Sequence, residues 1–223
     1  MNFTFGIVTN GKDYAYLNNC IESIHNQKIK NYEIIIVGDL DKNKILNESK
    51  INFIDFDENI KPGWITRKKN IITKESTYEN IVYMHDYLIL HKKWYKGFTK
   101  FGNDYQIVMN KILNPDKSRY RDWTLWPHND CFVDDIINDN ACLIPYSVSN
   151  LSEYMYISGA YWVAKRQIME KFPLNELSYD KLHHKKVPNI YLAIPQGKKY
   201  YVWFTHYNGE DICCLLEYNR KKN

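Results

Sequence analysis

Four consecutive β-branched residues, Ile34 to Val37, occupy a short apolar segment that begins at Tyr32. A strand with one face in water alternates apolar and polar side chains, whereas this segment is apolar on both faces. A strand of that kind has to be covered on both sides, as helices cover the central strands of a parallel sheet. The segment therefore predicts an α/β protein with a strand over residues 32–37 inside its sheet.

The sequence around this segment alternates between strand and helix patterns. Leu17, Cys20, Ile21 and Ile24 recur at helical spacing and predict a helix over residues 14–27. Further strands are predicted over 3–8, 51–56, 81–84 and 105–109, and further helices over 64–76, around 94–101 and from about 165 to 172. This order predicts right-handed βαβ units and a Rossmann-like, mostly parallel central sheet flanked by helices, in a single domain.

Composition narrows the class of protein further. Apolar residues make up 44% and aromatic residues 15% of the chain, which excludes a disordered protein. The net charge of +4 is dispersed, so we expect no nucleic-acid partner. No apolar stretch approaches the roughly 18 residues of a membrane span, so we expect no transmembrane segment. Five cysteines without CxxC spacing favour a reduced, cytoplasmic protein.

Three common catalytic motifs are missing from the sequence. The first predicted strand continues as Gly6-Ile7-Val8-Thr9-Asn10-Gly11, which is not the GxGxxG of a dinucleotide site. GxxxxGK[ST] is absent, which argues against P-loop phosphoryl transfer, and GxSxG is absent, which argues against a nucleophile-elbow hydrolase. The predicted α/β fold is therefore expected to carry an activity other than these three.

Polar residues follow three of the predicted strands. Thr9-Asn10 follows the first, Asp39 the second, and His85-Asp86 the strand over 81–84. Open α/β sheets bind polar ligands at the carboxyl ends of their strands. Asp39 and Asp86 are therefore candidates to bind a ribose and a divalent cation, since Mg²⁺ and Mn²⁺ favour hard oxygen ligands. The alternative is that each acid caps a turn or a neighbouring helix.

Three cations, Arg67, Lys68 and Lys69, stand near the start of the predicted helix over 64–76. Positive charge at a helix start opposes the helix dipole, and a bound anion nearby would explain it. We interpret Arg67 in this way. For Lys68 and Lys69 a solvated basic face is the preferred interpretation.

Two acids near the end of the sequence, Glu210 and Asp211, precede an apolar stretch over residues 212–216. At the start of a helix such acids either act as a general base or cap free N–H groups. His206 is a candidate ligand for a metal or a diphosphate, and an ordinary loop histidine is the alternative. Several aromatic residues of the second half are candidates to line an acceptor groove, and membership of the core is the alternative. They are Trp123, Trp126, Tyr146, Tyr154, Tyr156, Tyr161 and Trp162.

The order of these segments resembles the GT-A glycosyltransferases of the family-2-like group. The segments that carry the resemblance are residues 5–10, 20–27, 32–39, 66–70, 81–86, 158–176 and 209–211. The resemblance covers nearly the whole chain. It implies a GT-A domain over residues 1–223, with a nucleotide-sugar-binding half over about 1–110 and an acceptor-binding half over about 111–223.

The resemblance also implies roles for residues that bind the donor. Thr9, Asp39 and Arg67 would contact the uridine end of a nucleotide donor, with Asn10 beside them. Asp86 would bind Mn²⁺ or Mg²⁺ at the diphosphate, with His85 as its neighbour and His206 as a further candidate ligand. Met84 occupies the first position of the family's DxD motif, which leaves Asp86 as its acid.

Asp211 or Glu210 would be the base of an inverting transfer. An alternative alignment makes Asp180 or Glu176 the base, and the Glu210-Asp211 pair is preferred because it keeps both acids of the family's ED motif. The implied activity is metal-dependent transfer of a sugar from a UDP- or dTDP-sugar to a hydroxyl of a glycan. A nucleotidyltransferase and a catalytically silent glycan- or nucleotide-binding module are the alternatives.

Overall fold

The computed structural model describes residues 1–61, 63–120, 122–125, 142–143, 155–174, 176, 202–208 and 211–216. The first half contains β1 (Phe3–Val8), α1 (Tyr14–His25), β2 (Tyr32–Gly38), a 3₁₀ turn (Lys42–Lys44), β3 (Ile51–Asp55), α2 (Ile65–Glu75), β4 (Asn80–His85), α3 (Trp94–Phe101) and β5 (Ile107–Asn110). The second half contains β6 (Trp123–Leu125), β7 (Cys142–Leu143), β8 (Met155–Ile157), β9 (Tyr161–Lys165), α4 (Arg166–Lys171), β10 (Val202–Asn208) and β11 (Asp211–Leu216). Within these ranges no helix has both the length and the apolar character needed to cross a membrane.

The larger of two sheets has eight strands in the order β11-β10-β5-β9-β4-β1-β2-β3. Four of its seven pairings are parallel. Strand β9 lies antiparallel between β4 and β5, and β11 pairs antiparallel with β10. The smaller sheet, in the order β7-β6-β8, is antiparallel. The predicted single α/β domain with a mostly parallel sheet and flanking helices is confirmed.

The segment from Ile34 to Val37 is fully buried, and its side chains alternate between two hydrophobic clusters. Ile34 and Ile36 belong to the cluster formed with α1 and α3. Ile35 and Val37 belong to the cluster formed with α2 and α4. Burial of each such side chain contributes about 1.5–3 kcal/mol, so this strand stabilises the packing of helices on both faces of the sheet.

Helix α2 packs against the sheet at Gly6 of β1. A Cβ atom on Gly6 would lie 2.3 Å from Cγ2 of Ile72 in α2, so the helix can reach this distance only because position 6 has no side chain. The contact fixes α2 over β1 and β2. It thereby brings the first turns of α2 near the carboxyl ends of those strands.

The structure corrects the helix expected after Asp211. Residues Asp211–Leu216 form β11, the outer strand of a hairpin with β10. The apolar stretch over 212–216 carries no helical period of its own, and its pairing with β10 decides its conformation. An N-terminal helix cap is therefore no longer an explanation for Asp211.

Candidate functional site

Three neighbouring parallel strands end at the same level. Val8 of β1 is paired with Val37 of β2 on one side and with His85 of β4 on the other. Thr9, Asp39 and Asp86 follow these strand ends directly or within two residues. We refer to this end of the eight-stranded sheet as the carboxyl edge.

The segments that follow β1 and β2 approach each other backbone to backbone. A Cβ atom on Gly38 would lie 2.6 Å from the carbonyl oxygen of Thr9, and one on Gly11 would lie 1.6 Å from the carbonyl oxygen of Asp39. Gly11 also has φ +69°, a conformation that side-chain-bearing residues rarely adopt. Asp39 and Asn10 are exposed beside this contact, at the rim of the carboxyl edge.

Thr9 and Asp86 join the ends of β1 and β4. The Thr9 hydroxyl donates to Oδ2 of Asp86 at 2.5 Å and accepts from the backbone N–H of Gly11 at 3.0 Å. Burial raises the pKa of the half-buried Asp86 carboxyl, and the Thr9 hydroxyl opposes this by donating to the carboxylate. The neighbouring Asp13 carboxylate raises the same pKa, and Lys68 lowers it.

Lys68 and Lys69 are buried, so their interpretation as a solvated basic face was wrong. Their side chains are 1% and 3% exposed. Lys68 Nζ donates to the Thr9 carbonyl oxygen at 2.6 Å and forms an ion pair with Glu58. Lys69 Nζ donates to the Gly159 carbonyl oxygen at 2.5 Å, and burial lowers the pKa of Lys69 to about 7. The Lys68 ammonium therefore lies under the carboxyl edge with Glu58 as its counter-ion, and Lys69 is only partly charged at neutral pH.

Helical spacing contains the signal that places these two lysines inside. Ile72 is the fully buried apolar residue of α2. Lys68 and Lys69 precede Ile72 by four and three residues, which puts all three side chains on one face of the helix. The charge of the lysines concealed this pattern in the sequence. Glu58, the ion-pair partner, has no such signal because it lies in the segment between β3 and α2.

His85, the last residue of β4, is half-buried and contacts the turn before β9. Its backbone N–H donates to the carbonyl oxygen of Ala160 at 3.0 Å. Burial, together with the charges of Lys69 and Lys68, lowers the pKa of the His85 imidazole. The ring is therefore neutral at neutral pH and adds no charge beside Asp86.

Arg67 is engaged by Glu176 and Trp64. Its Nη1 pairs with Oε2 of Glu176 at 2.8 Å, and its guanidinium lies 5.0 Å from the Trp64 ring centroid. Oε1 of Glu176 accepts from Nδ2 of Asn70 at 2.9 Å. Glu176, which the alternative alignment offered as a base, is thus engaged by the residue that was expected to contact the donor.

The remaining predicted residues belong to the late part of the chain. β10 runs parallel to β5, so its carboxyl end with His206 lies at the carboxyl edge, and Asp211 opens β11 opposite Asn208. Strands β9 and β5 lie between β4 and β10, so the backbones of Asp86 and His206 are three strand spacings, or about 14 Å, apart along the sheet. Glu210 lies outside the described residues, as does Asp180.

Two of the predicted groove aromatics belong to the core. Trp162 stacks on Tyr83 with ring centroids 4.2 Å apart. The Tyr161 hydroxyl accepts from Nε1 of Trp94 at 2.7 Å and donates to Oδ1 of Asn110 at 2.6 Å. For Trp123 and Tyr156 the structure describes only the backbone, in β6 and β8, and the predictions for Trp126, Tyr146 and Tyr154 lie outside the described residues.

The oxygen ligands available at the carboxyl edge fit a divalent cation that is held largely by substrate phosphates and water. In the described part of the chain, no group of three or more His, Cys, Asp or Glu residues could hold a metal ion. Asp86 supplies a hard carboxylate at the aligned strand ends. Mg²⁺ and Mn²⁺ are commonly bound through one or two carboxylates, with substrate phosphates and water completing the shell. Asp86 therefore fits as a single protein ligand.

Solved structures share this arrangement of strands and helices. Residues 1–349 of TarS from S. aureus match with a TM-score of 0.53 and 13% identity, over 79% of this chain and 51% of that one. The same fragment in complex with UDP-GlcNAc matches with a TM-score of 0.51 and 13% identity, over 95% and 60% of the two chains. The chain has a GT-A-like glycosyltransferase fold.

A third solved structure is mannosyltransferase PcManGT from Pyrobaculum calidifontis, in complex with GDP-Man and Mn²⁺. It matches with a TM-score of 0.50 and 8% identity, over 79% of this chain and 48% of that one. The chain thus spans about half to three-fifths of the length of these structures. No protein-family model matches the sequence, and no curated protein matches it either.

Proposed function

We propose that the protein is a glycosyltransferase that moves a sugar from a UDP- or dTDP-linked donor to a hydroxyl of a glycan acceptor. The observation that carries the proposal is the carboxyl edge, where the joined side chains of Thr9 and Asp86 lie beside the exposed Asp39. The GT-A-like fold supports it, since TarS and the mannosyltransferase with this fold hold UDP-GlcNAc and GDP-Man.

In this proposal the donor lies across the ends of β1, β2 and β4. Asp39 and Asn10, exposed at the rim, contact the nucleoside. Asp86 holds the Mn²⁺ or Mg²⁺ that would offset the charge of the diphosphate when bound. His206 is left out of this set because two ligands of one ion must each lie within about 2–2.6 Å of it, and the backbone of His206 is three strand spacings from that of Asp86. Because its ring is neutral, His85 adds no positive charge beside Asp86.

Residues of α2 and β11 serve the transfer step. Negative charge grows on the nucleoside diphosphate as its bond to the anomeric carbon breaks, and the Lys68 ammonium, which is close enough to lower the pKa of Asp86, offsets part of that charge. Asp211, or its neighbour Glu210, takes the proton of the acceptor hydroxyl as the hydroxyl oxygen attacks the anomeric carbon from the opposite side. The sugar is therefore transferred with inversion. General-base catalysis of this kind contributes a factor of about 10²–10⁴.

The test is incubation of the protein with UDP-GlcNAc, UDP-glucose and dTDP-glucose, each with MnCl₂ or with EDTA, while release of free nucleotide is measured. We expect slow, metal-dependent release from one donor through hydrolysis. Asp86→Asn should abolish the release, whereas Glu75→Gln, which removes an exposed carboxylate at the far end of α2, should leave it unchanged. Pyrophosphate release from UTP and a sugar 1-phosphate would instead identify a nucleotidyltransferase, and no turnover or nucleotide binding at all would contradict both activities.

A further inference from the structure

We infer that Thr9 is a positioning residue that holds the Asp86 carboxylate in place, and that its side chain does not contact the donor. The inference rests on the proposed function, in which Asp86 serves donor binding. It changes the role of Thr9 that the resemblance implied, namely contact with uridine. The residue thus acts through Asp86.

The hydrogen-bonding capacity of the Thr9 hydroxyl carries the first step. A hydroxyl has one proton to donate, and Thr9 gives it to Oδ2 of Asp86. The oxygen also accepts from the Gly11 N–H. Thr9 is only 5% exposed. A ligand could receive a hydrogen bond from this hydroxyl only if Asp86 were released, so the hydroxyl is committed to the protein.

The backbone of Thr9 is fixed from the other side. Its carbonyl oxygen accepts from Nζ of Lys68, and that ammonium is paired with Glu58. The Oε2 atom of Glu58 also accepts from the backbone N–H of Gly63 at 2.8 Å, in the turn before α2. These contacts connect the start of α2 with the end of β1. The hydrogen bond from Thr9 to Asp86 then connects the end of β1 with the end of β4. We call Glu58, Lys68, Thr9 and Asp86 the edge relay.

The edge relay predicts what loss of the Thr9 hydroxyl does. The Asp86 carboxylate gains rotational freedom and loses a charge-assisted hydrogen bond, so donor binding has to order it again. We expect the dissociation constant for UDP in the presence of Mn²⁺ to rise roughly tenfold in Thr9→Val. Thr9→Ser keeps the hydroxyl and should bind UDP as the wild type does.

Thr4 provides a matched control on the same strand. It is fully buried near the other end of β1, and its hydroxyl donates to Oε1 of Glu33 at 2.6 Å. Thr4→Val removes an equally buried hydroxyl that donates to a carboxylate. We expect it to lower thermal stability as much as Thr9→Val does, without changing the dissociation constant for UDP.

The experiment is isothermal titration calorimetry of the full chain with UDP in MnCl₂, together with thermal unfolding of each variant. The edge relay is supported if Thr9→Val binds UDP more weakly than the wild type, while Thr9→Ser and Thr4→Val bind it with wild-type affinity. If Thr9→Val fails to fold, Thr9→Ala is the second variant, with the same expectation.

Two kinds of result would overturn the inference. One rejects only the positioning role of Thr9, and the other also rejects the proposed function. Wild-type affinity in Thr9→Val, or weakened binding in both Thr9→Ser and Thr9→Val, would leave the proposed function intact and reject the positioning role. A wild-type chain that binds neither UDP nor dTDP with Mn²⁺ would reject the proposed function and the edge relay together.

Discussion

Arg67 and Glu176 form an ion pair of 2.8 Å between the first turn of α2 and the chain that follows α4. The carbonyl oxygen of Glu176 also accepts from Nε1 of Trp64 at 3.1 Å. Asn70, one turn further along α2, donates to the Leu174 carbonyl at 2.8 Å and accepts from the Leu174 N–H at 2.9 Å. Helix α2 and the residue before it therefore hold the segment after α4 through Trp64, Arg67 and Asn70, while Lys68 on the same helix contacts Thr9.

These anchors should contribute unequally to stability. The Arg67 side chain is 48% exposed, so Arg67→Ala should reduce the free energy of unfolding by less than about 1 kcal/mol. Asn70→Ala leaves both backbone groups of the buried Leu174 unpaired and should cost about 1–3 kcal/mol. Urea unfolding of the two variants measures the difference. Equal losses would show that the Leu174 backbone finds other partners.

Lys69→Met should change how stability depends on pH. Burial lowers the pKa of Lys69 from 10.5 to about 7 in the folded chain, so between these values the unfolded chain binds more protons. Lys69 therefore makes the free energy of unfolding of the wild type rise from pH 7 to about pH 10. Below pH 7 the amount by which buried Lys69 lowers that free energy is constant. Lys69→Met has no buried amine to protonate. The free energy of unfolding of the variant minus that of the wild type should therefore be highest at pH 7 and fall as the pH is raised.

Chemical denaturation at pH 7, 8.5 and 10 measures this trend. Lys74→Met is the control, because Lys74 lies exposed on the same helix. A difference between Lys69→Met and wild type that is independent of pH would show that Lys69 keeps an ordinary pKa.

Gly11 and Gly159 should differ in their tolerance of alanine. Gly11→Ala places a Cβ atom 1.6 Å from the Asp39 carbonyl oxygen at a residue with positive φ, so the segments after β1 and β2 must separate. We expect loss of nucleotide binding and a lower melting temperature. A Cβ atom on Gly159 meets nothing within 4 Å, so Gly159→Ala should change stability by less than about 0.5 kcal/mol. Thermal unfolding and UDP titration of both variants test the contrast.

Asp211→Asn should separate binding from transfer. If Asp211 is the base, the variant binds UDP as the wild type does while turnover falls by a factor of about 10²–10⁴. Glu210→Gln tests the neighbouring acid in the same way. Near-native turnover in both variants would contradict the assignment and direct the search to Asp180. Turnover with saturating donor, compared with UDP affinity from calorimetry, provides the measurement.

Local patterns predicted the first half of the fold well. The segment from Ile34 to Val37 fixed a doubly covered strand, and helical spacing located α1 and α2. The strand ends of the carboxyl edge followed from the same reasoning, because parallel strands of similar length end together. Thr9 and Asp86 could therefore be placed near each other before their contact was known.

Interactions between distant parts of the chain account for what the sequence did not predict. Arg67 is paired with a residue 109 positions later, and no local pattern indicates that partner. Lys68 and Lys69 are buried because α2 lies close to β1 at Gly6, a tertiary contact that overrides the usual exposure of lysine. The apolar stretch after Asp211 became a strand because β10 was available to pair with it.

The position of β9 has a consequence for the order in which the chain can fold. β4 and β5 are neighbours only through β9, so residues 161–165 must be in place before either strand has both of its partners. Lys165 secures that insertion, since its Nζ donates to Oδ1 of Asn80, 85 positions earlier, at 2.9 Å. Contacts at such sequence separation slow folding. During synthesis, one edge of β4 and both edges of β5 would stay unpaired and exposed to aggregation until β9 is made, and the second edge of β5 stays open until β10 follows.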